Sequence, residues 1–125
     1  MAISAYEKPV LNISENAGAD LSSSQYLFLK YSSGNVVVAG DGENGPGVLQ
    51  NKPVLNDVAS IMAIGITRVI ASGVLAAGAE VASDAAGKAK APATGDVVRG
   101  QLLQAAAADG DVVAMLLYQG GQIAP

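Results

Sequence analysis

The stretch Ser60–Ser72 reads SIMAIGITRVIAS. Its branched residues, Ile61, Ile64, Ile66, Thr67, Val69 and Ile70, favour a strand, because branched side chains suit a pleated surface. In a strand, Met62, Ile64, Ile66 and Ile70 line one face, interrupted by Arg68, while Ile61, Ala63, Thr67 and Val69 line the other. Two apolar faces predict a central position. Gly65 marks a bulge or the close approach of another backbone. The wider run Val58–Ala79 is apolar enough to resemble a membrane span. However, Arg68 sits at its middle, and a central Arg is costly in a bilayer.

Working towards the N-terminus, Val48–Gln50 is a short strand closed by Asn51, Lys52 and Pro53. Before it, Gly40–Gly47 (GDGENGPG) reads as a mobile surface loop. Gln25–Ser32 (QYLFLKYS) and Val36–Ala39 flank Ser33, Gly34 and Asn35, the signature of a hairpin. Working towards the C-terminus, Ser72–Gly78 and Ala79–Ser83 precede Asp84–Gly87, whose Asp-first, Gly-fourth order fits a type I turn. Val97–Gln104 and Asp111–Tyr118 read as two strands. Gly100 and Gly110 leave no room for a helix in the Ala-rich link between them. The tail Gln119–Pro125 is flexible by composition. About seven or eight short strands with frequent turn signals predict an all-β fold, a small β-barrel or sandwich.

Residues 1–20 read as an extended N-terminal arm, and residues 21–125 as a single β domain. The arm is either a disordered tail or a segment that orders on a partner. Tyr6, Val10, Leu11 and Ile13 favour the second reading, being more apolar than a solvating tail needs. Met1–Ala5 lacks the basic start of a signal peptide, and Glu7, Lys8 and Pro9 stand before any apolar run of sufficient length.

Composition narrows the chemistry. The chain of 125 residues has no Cys and no His. Disulfides, thiolate metal sites and the commonest general base are therefore excluded. Net charge is -4 with seven Lys and Arg, so no basic stripe exists to track phosphates, and nucleic acid is not an expected partner. The acidic residues sit mostly beside Gly or Asn in turns, where Asp bonds its own backbone. Asp41, Glu43 and Asn44 do not match a calcium-loop spacing. GDGENGPG is not a phosphate cradle, since no Lys-Ser or Lys-Thr comes after it. Ser22–Ser24 has no neighbouring base to activate a nucleophile. No catalytic residue, cofactor or metal is expected. Half the residues are hydrophobic but only 4% aromatic, so Ala, Val, Leu and Ile carry the core. Ala buries little area, so a partner surface or oligomer would add to stability. Arg68 and Arg99 each interrupt an apolar strand. They read as outward-facing, snorkelling side chains or as intersubunit salt-bridge anchors.

Three segments, in order, carry a family resemblance: Gly47–Pro53 (GVLQNKP), Ser72–Lys88 (SGVLAAGAEVASDAAGK) and Thr94–Leu117 (TGDVVRGQLLQAAAADGDVVAMLL). Together they resemble the capsid cement, or decoration, proteins of tailed bacteriophages, a family sometimes mislabelled as RecA-like recombinases. The resemblance spans about Leu27–Tyr118. Ala79 and Gln104 depart from it, standing where acidic residues are common. The resemblance implies a small barrel-like body on the outside of an expanded capsid, bound to the major capsid protein. It also implies a homo-oligomer, with a trimer favoured, located in the virion. The residues themselves leave a second reading open: a β-rich, virion-surface binding module, for glycans for example. Such sites usually present exposed aromatics, and of Tyr6, Tyr26, Phe28, Tyr31 and Tyr118 four fall in predicted strands or near their ends.

Overall fold

The computed structural model describes residues 4–119 and 122–125; Met1–Ile3, with the arm's Ile3, and the tail's Gly120–Gly121 lie outside the described residues. Nine strands and no helix appear among them: β1 Lys8–Asn16, β2 Leu29–Ser32, β3 Asn35–Val38, β4 Val48–Leu49, β5 Val58–Ser72, β6 Glu80–Ser83, β7 Ala89–Lys90, β8 Gly100–Leu102 and β9 Asp109–Leu117. The all-β class and the central role of the Ser60–Ser72 run are as the sequence predicts. The expected hairpin is present, with Ser32 opposite Asn35. Ser33 (φ 50) and Gly34 (φ 81) both take left-handed backbone, as a two-residue hairpin turn requires.

β5 is the spine. Its C-terminal half pairs with β9 on one edge, from Gly65↔Leu117 to Ile70↔Val112, and with β7 on the other, at Ala71↔Ala89. β7 pairs with β6, β6 with β8, and β8 with β9. The ring β5–β7–β6–β8–β9 therefore closes as a five-stranded barrel, and closure removes exposed sheet edges. The N-terminal half of β5 extends beyond the barrel. There it carries β1 on one edge and β4 on the other.

The interior is divided into two apolar clusters. Phe28, Val48, Met62, Val69, Ala71, Val81, Leu102, Met115 and Leu117 belong to the barrel core. Ala17, Leu21, Leu29, Val36, Leu49, Ala59 and Ile61 form a second core under β1 and the hairpin. The dipeptides Phe28–Leu29, Val48–Leu49 and Ile61–Met62 each give one side chain to each core. They are neighbours in space, through Phe28↔Val48, Val48↔Met62 and Leu49↔Ile61. This three-strand wall is buried on both sides.

The two faces of β5 change places along the strand, because β5 is irregular at its middle. Ala59 and Ile61 face the second core, yet Val69 and Ala71, also odd-numbered, face the barrel. Between them the β1–β5 register shifts, leaving Val10 and Ala63 without partners in that ladder. A one-residue slip exchanges the faces of a strand. The Ala63 carbonyl accepts Gln119 Nε2 at 2.9 Å. Gly65 (φ +133) lies just beyond, where a Cβ would meet Lys8 O at 2.7 Å. The close approach anticipated at Gly65 is therefore β1.

The segment 40–47 is not the mobile loop that its composition predicts. Lys30 Nζ bonds Glu43 Oε1 at 3.0 Å, and the Gly40 N–H donates to the same oxygen at 2.7 Å. Lys90 Nζ bridges Asp41 at 2.6 Å and Asp96 at 2.8 Å. Gly42 N–H donates to Ser83 O at 2.8 Å, and Val97 N–H to Gly42 O at 3.0 Å. Hydrogen bonding by Lys30 and the Gly40 N–H holds Glu43 below the usual carboxylate range. Lys90 and the Ala93 N–H do the same for Asp96.

Arg99 is a second correction. The sequence places it at the surface, but it is 2% exposed. Its guanidinium donates to Glu43 O at 3.1 Å, Leu29 O at 3.2 Å and Gly47 O at 3.4 Å. It lies 4.7 Å from the Phe28 ring centroid. Burial lowers its pKa to about 10, a cost to the charged form on the order of 3 kcal/mol. Three charge-assisted bonds at about 1.5–3 kcal/mol each, with a desolvated cation–π contact, outweigh that cost. Arg99 thus fastens segment 40–47 to the wall.

This interior has two measurable consequences. Arg99→Leu removes the guanidinium donor from the Leu29 and Glu43 carbonyls, while Gly47 O keeps the Leu29 N–H, and lowers unfolding free energy by about 2–4 kcal/mol in a urea titration. Because the Glu43 and Asp96 pKa values are depressed on folding, their stabilisation is present above the ordinary carboxylate range and lost below it. Melting temperature should therefore fall as pH drops below about 4. Replacing both residues with amides should flatten that fall.

Candidate docking surface

Paired residues on neighbouring strands share a face, so register places the outer side chains. Val69↔Val113 and Thr67↔Met115 face inwards, with all four side chains buried. The alternate pairs Ile66↔Leu116, Arg68↔Ala114 and Ile70↔Val112 therefore face outwards. Leu11, opposite Ile64, joins this face from β1. Leu103, whose N–H donates to Ala114 O at 2.9 Å, flanks it from the end of β8. Leu11, Ile64, Leu103, Val112 and Leu116 are exposed, while Ile66 and Ile70 are half-buried. A side of the barrel that would ordinarily be polar is thus aliphatic. Apolar side chains gathered on one outer face make it a candidate interaction site.

Arg68 stands at the centre of the face. Its Nη1 donates to the Tyr26 hydroxyl at 3.2 Å, and its guanidinium lies 5.8 Å from the Tyr26 ring centroid. Nη1 is also 3.8 Å from Glu7 Oε1. Ser4 O accepts Gln104 Nε2 at 3.2 Å. Residues Ser4–Glu7 therefore cross the face between Gln104 and Arg68. Ala114, in the same row as Arg68, points outwards yet is fully buried, and its N–H donates to Gln104 Oε1 at 2.9 Å.

Of the arm residues singled out in the sequence, Val10 is the most exposed, at 77%, on the bulge of β1. Leu11 lies on the apolar face beside Ile64. Tyr6 is half-buried in the crossing segment, where Lys8 Nζ lies 5.8 Å from its ring centroid. Ile13 points the other way, opposite Ile61, and packs against the second core. Arg68 joins Leu11 and Tyr6 on one surface, whereas Arg99 is inside the molecule. Sequence reasoning missed Glu7, Leu103, Val112 and Leu116. The available signal was the apolar character of both faces of Asp111–Tyr118, which, like Ser60–Ser72, has no polar side to give to water.

The five aromatic side chains do not gather into one platform. Phe28 is buried, Tyr26 lies beneath Arg68, and Tyr6 is in the crossing segment. The Tyr31 hydroxyl donates to Glu15 Oε2 at 2.5 Å, a bond that raises the Tyr31 pKa. The Tyr118 hydroxyl lies 3.3 Å from Glu80 Oε2. An open cleft runs between the C-terminal residues and the barrel, lined by Gly78, Glu80, Pro92, Val98, Gln122, Ala124 and Pro125. Glu80 is the one ionisable side chain among these. Among the described residues, no group of three or more acidic side chains gathers to hold a metal, and no helix is long and apolar enough to cross a membrane.

Known proteins resemble this chain at two levels. In fold, it is similar to the head fiber gp8.5 N base of bacteriophage phi29, with a TM-score of 0.70, 17% identity, and coverage of 90% of this chain and 97% of that one. No curated protein sequence matches it. A family model described as phage cement protein matches residues 13–117, beginning within β1 and ending at the last residue of β9. Most of the chain lies within that match, so it belongs to the phage cement protein family.

Proposed function

We propose that this protein decorates the outer surface of an expanded phage capsid and clamps neighbouring major capsid protein subunits together. The observation that carries the reading is the aliphatic outer face of β1, β5 and β9, with one Arg at its centre, on a member of a cement family. Clamping needs no acid, base, cofactor or metal. It needs a rigid body and a surface that gains by leaving water. Leu11, Ile64, Leu116 and Val112 supply that surface, at roughly 25 cal/mol per Å² of apolar area removed from water. Val10 and Tyr6 border it, and Ile13 anchors β1 to the body beneath.

The mode of β1 is main-chain and side-chain contact at the rim, not free strand addition along its length. Pro9 has no N–H to offer, and the bulge at Val10 breaks the ladder, two devices that blunt a sheet edge. Repetition over a lattice converts modest single-site affinity into lasting attachment. A homotrimer would place three such faces over adjoining subunits. The product is a virion protein on the outer capsid surface, without nucleic-acid or membrane partners.

Co-sedimentation with expanded capsids lacking this protein tests the reading. Saturation at a fixed ratio to the major capsid protein is the expected outcome. Leu11→Asp with Ile64→Asp should reduce retention at least about tenfold, by placing two charges in the contact. Unchanged retention by a folded double variant contradicts the proposed face. Light scattering on the free protein should return three times the mass of one chain; a monomer at all concentrations removes the trimer.

A further inference from the structure

We infer that Ser4–Glu7 is a displaceable strap over the docking face, and that Arg68, released from Glu7, pairs with a carboxylate on the capsid. The inference rests on the capsid reading and names the chemistry of its central contact.

The strap divides the face. Ile64, Ile66 and Leu116 lie to one side of the Arg68–Ala114 row, and Ile70 and Val112 to the other. With the strap in place, Ala114 is fully covered and the two apolar groups are separate. With the strap lifted, they join into one surface.

Its attachment at Glu7 is light, and its bond at Ser4 O, donated by Gln104 Nε2 at 3.2 Å, lies at an exposed site. The Glu7–Arg68 contact is 3.8 Å long, with side chains 29% and 39% exposed. A pair of that kind biases an equilibrium by only about 1.4- to 5-fold. The family match starts at Ile13, so the shared body does not include the strap.

Arg68, in contrast, is held by the body. Tyr26 accepts its Nη1 proton and lies beneath its guanidinium, so the cation keeps its place when Glu7 leaves. A guanidinium fixed in apolar surroundings is suited to bidentate pairing with a carboxylate. Charge selects the occupant. The chain carries a net charge of -4, which disfavours a second copy against this face. A capsid surface that presents a carboxylate among apolar side chains complements it.

Affinity for expanded capsids lacking the protein should be measured for the wild type, Glu7→Gln, Arg68→Glu and Glu7→Lys/Arg68→Glu. Hydrogen exchange of residues 4–7 would report the strap. Glu7→Gln should loosen the strap and tighten binding by about 1.4- to 5-fold. Arg68→Glu should loosen the strap and weaken binding at least about tenfold. The exchanged pair should restore strap protection without restoring binding. If the exchanged pair binds like wild type, Arg68 has no carboxylate partner and the inference fails. Wild type that binds capsids while all three variants match it also overturns the inference, but leaves the capsid reading intact. Wild type that ignores capsids overturns the capsid reading itself. Should Arg68→Glu lose its cooperative melt, Arg68→Gln carries the same test, with about tenfold weakening expected.

Discussion

The structure depends on one strand being buried from both sides. β5 carries Ile61 into one core and Met62 into another, with Phe28–Leu29 and Val48–Leu49 beside it doing the same. A wall of this kind leaves little freedom in register, because a slip of one residue exchanges the contents of two cores at once. It also explains how a chain with few aromatic residues closes an interior. The wall's side chains share both apolar compartments, so small and medium aliphatic groups suffice. Gly47 shows how tightly it is built, since a Cβ there would collide with the Met62 carbonyl oxygen.

The same economy appears in the polar groups. Segment 40–47 lies against the barrel and needs its carbonyls satisfied. Arg99 supplies a planar fork of donors that reaches three backbone carbonyls while stacking on Phe28. Lysine, with a compact ammonium, would not reproduce that fork. A buried cation without a carboxylate partner is costly in isolation. Here backbone carbonyl dipoles take the carboxylate's place.

Much of the fold is legible in the residues, and the reasons are local. The Ile-rich run announces β5, Ser33-Gly34 announces the hairpin, and Asp84 with Gly87 announces the turn that the Gly87 N–H closes onto Asp84 O. The strand β7, two residues long, carries no periodic signal. Gln25–Leu27 is too apolar to read as anything but strand. Yet Tyr26 takes a φ of 68 and turns the chain before β2 begins. Arg99 and segment 40–47 are misplaced by sequence reasoning for a shared reason. Composition reports what a residue costs to bury, but not the partners that tertiary structure brings to it. The docking face is half legible. Leu11, Tyr6 and Arg68 stand out as apolar or charged exceptions to their surroundings. Glu7 and Ala114 join them only through register and through a crossing segment that no local pattern reveals.

A barrel with one aliphatic flank and an Arg at its centre has the surface that the proposed attachment to a capsid requires. Closure and the shared wall tie its strands together, as the proposed clamp would need. The most direct measurement of that account is hydrogen exchange on the protein, free and bound to expanded capsids. The account predicts new protection at Leu11, Ile64–Ile70 and Val112–Leu116, with little change around the cleft at Glu80 and Pro92. Protection at the cleft or at the loops around Val74 and Ala105, with the aliphatic flank unchanged, would contradict it.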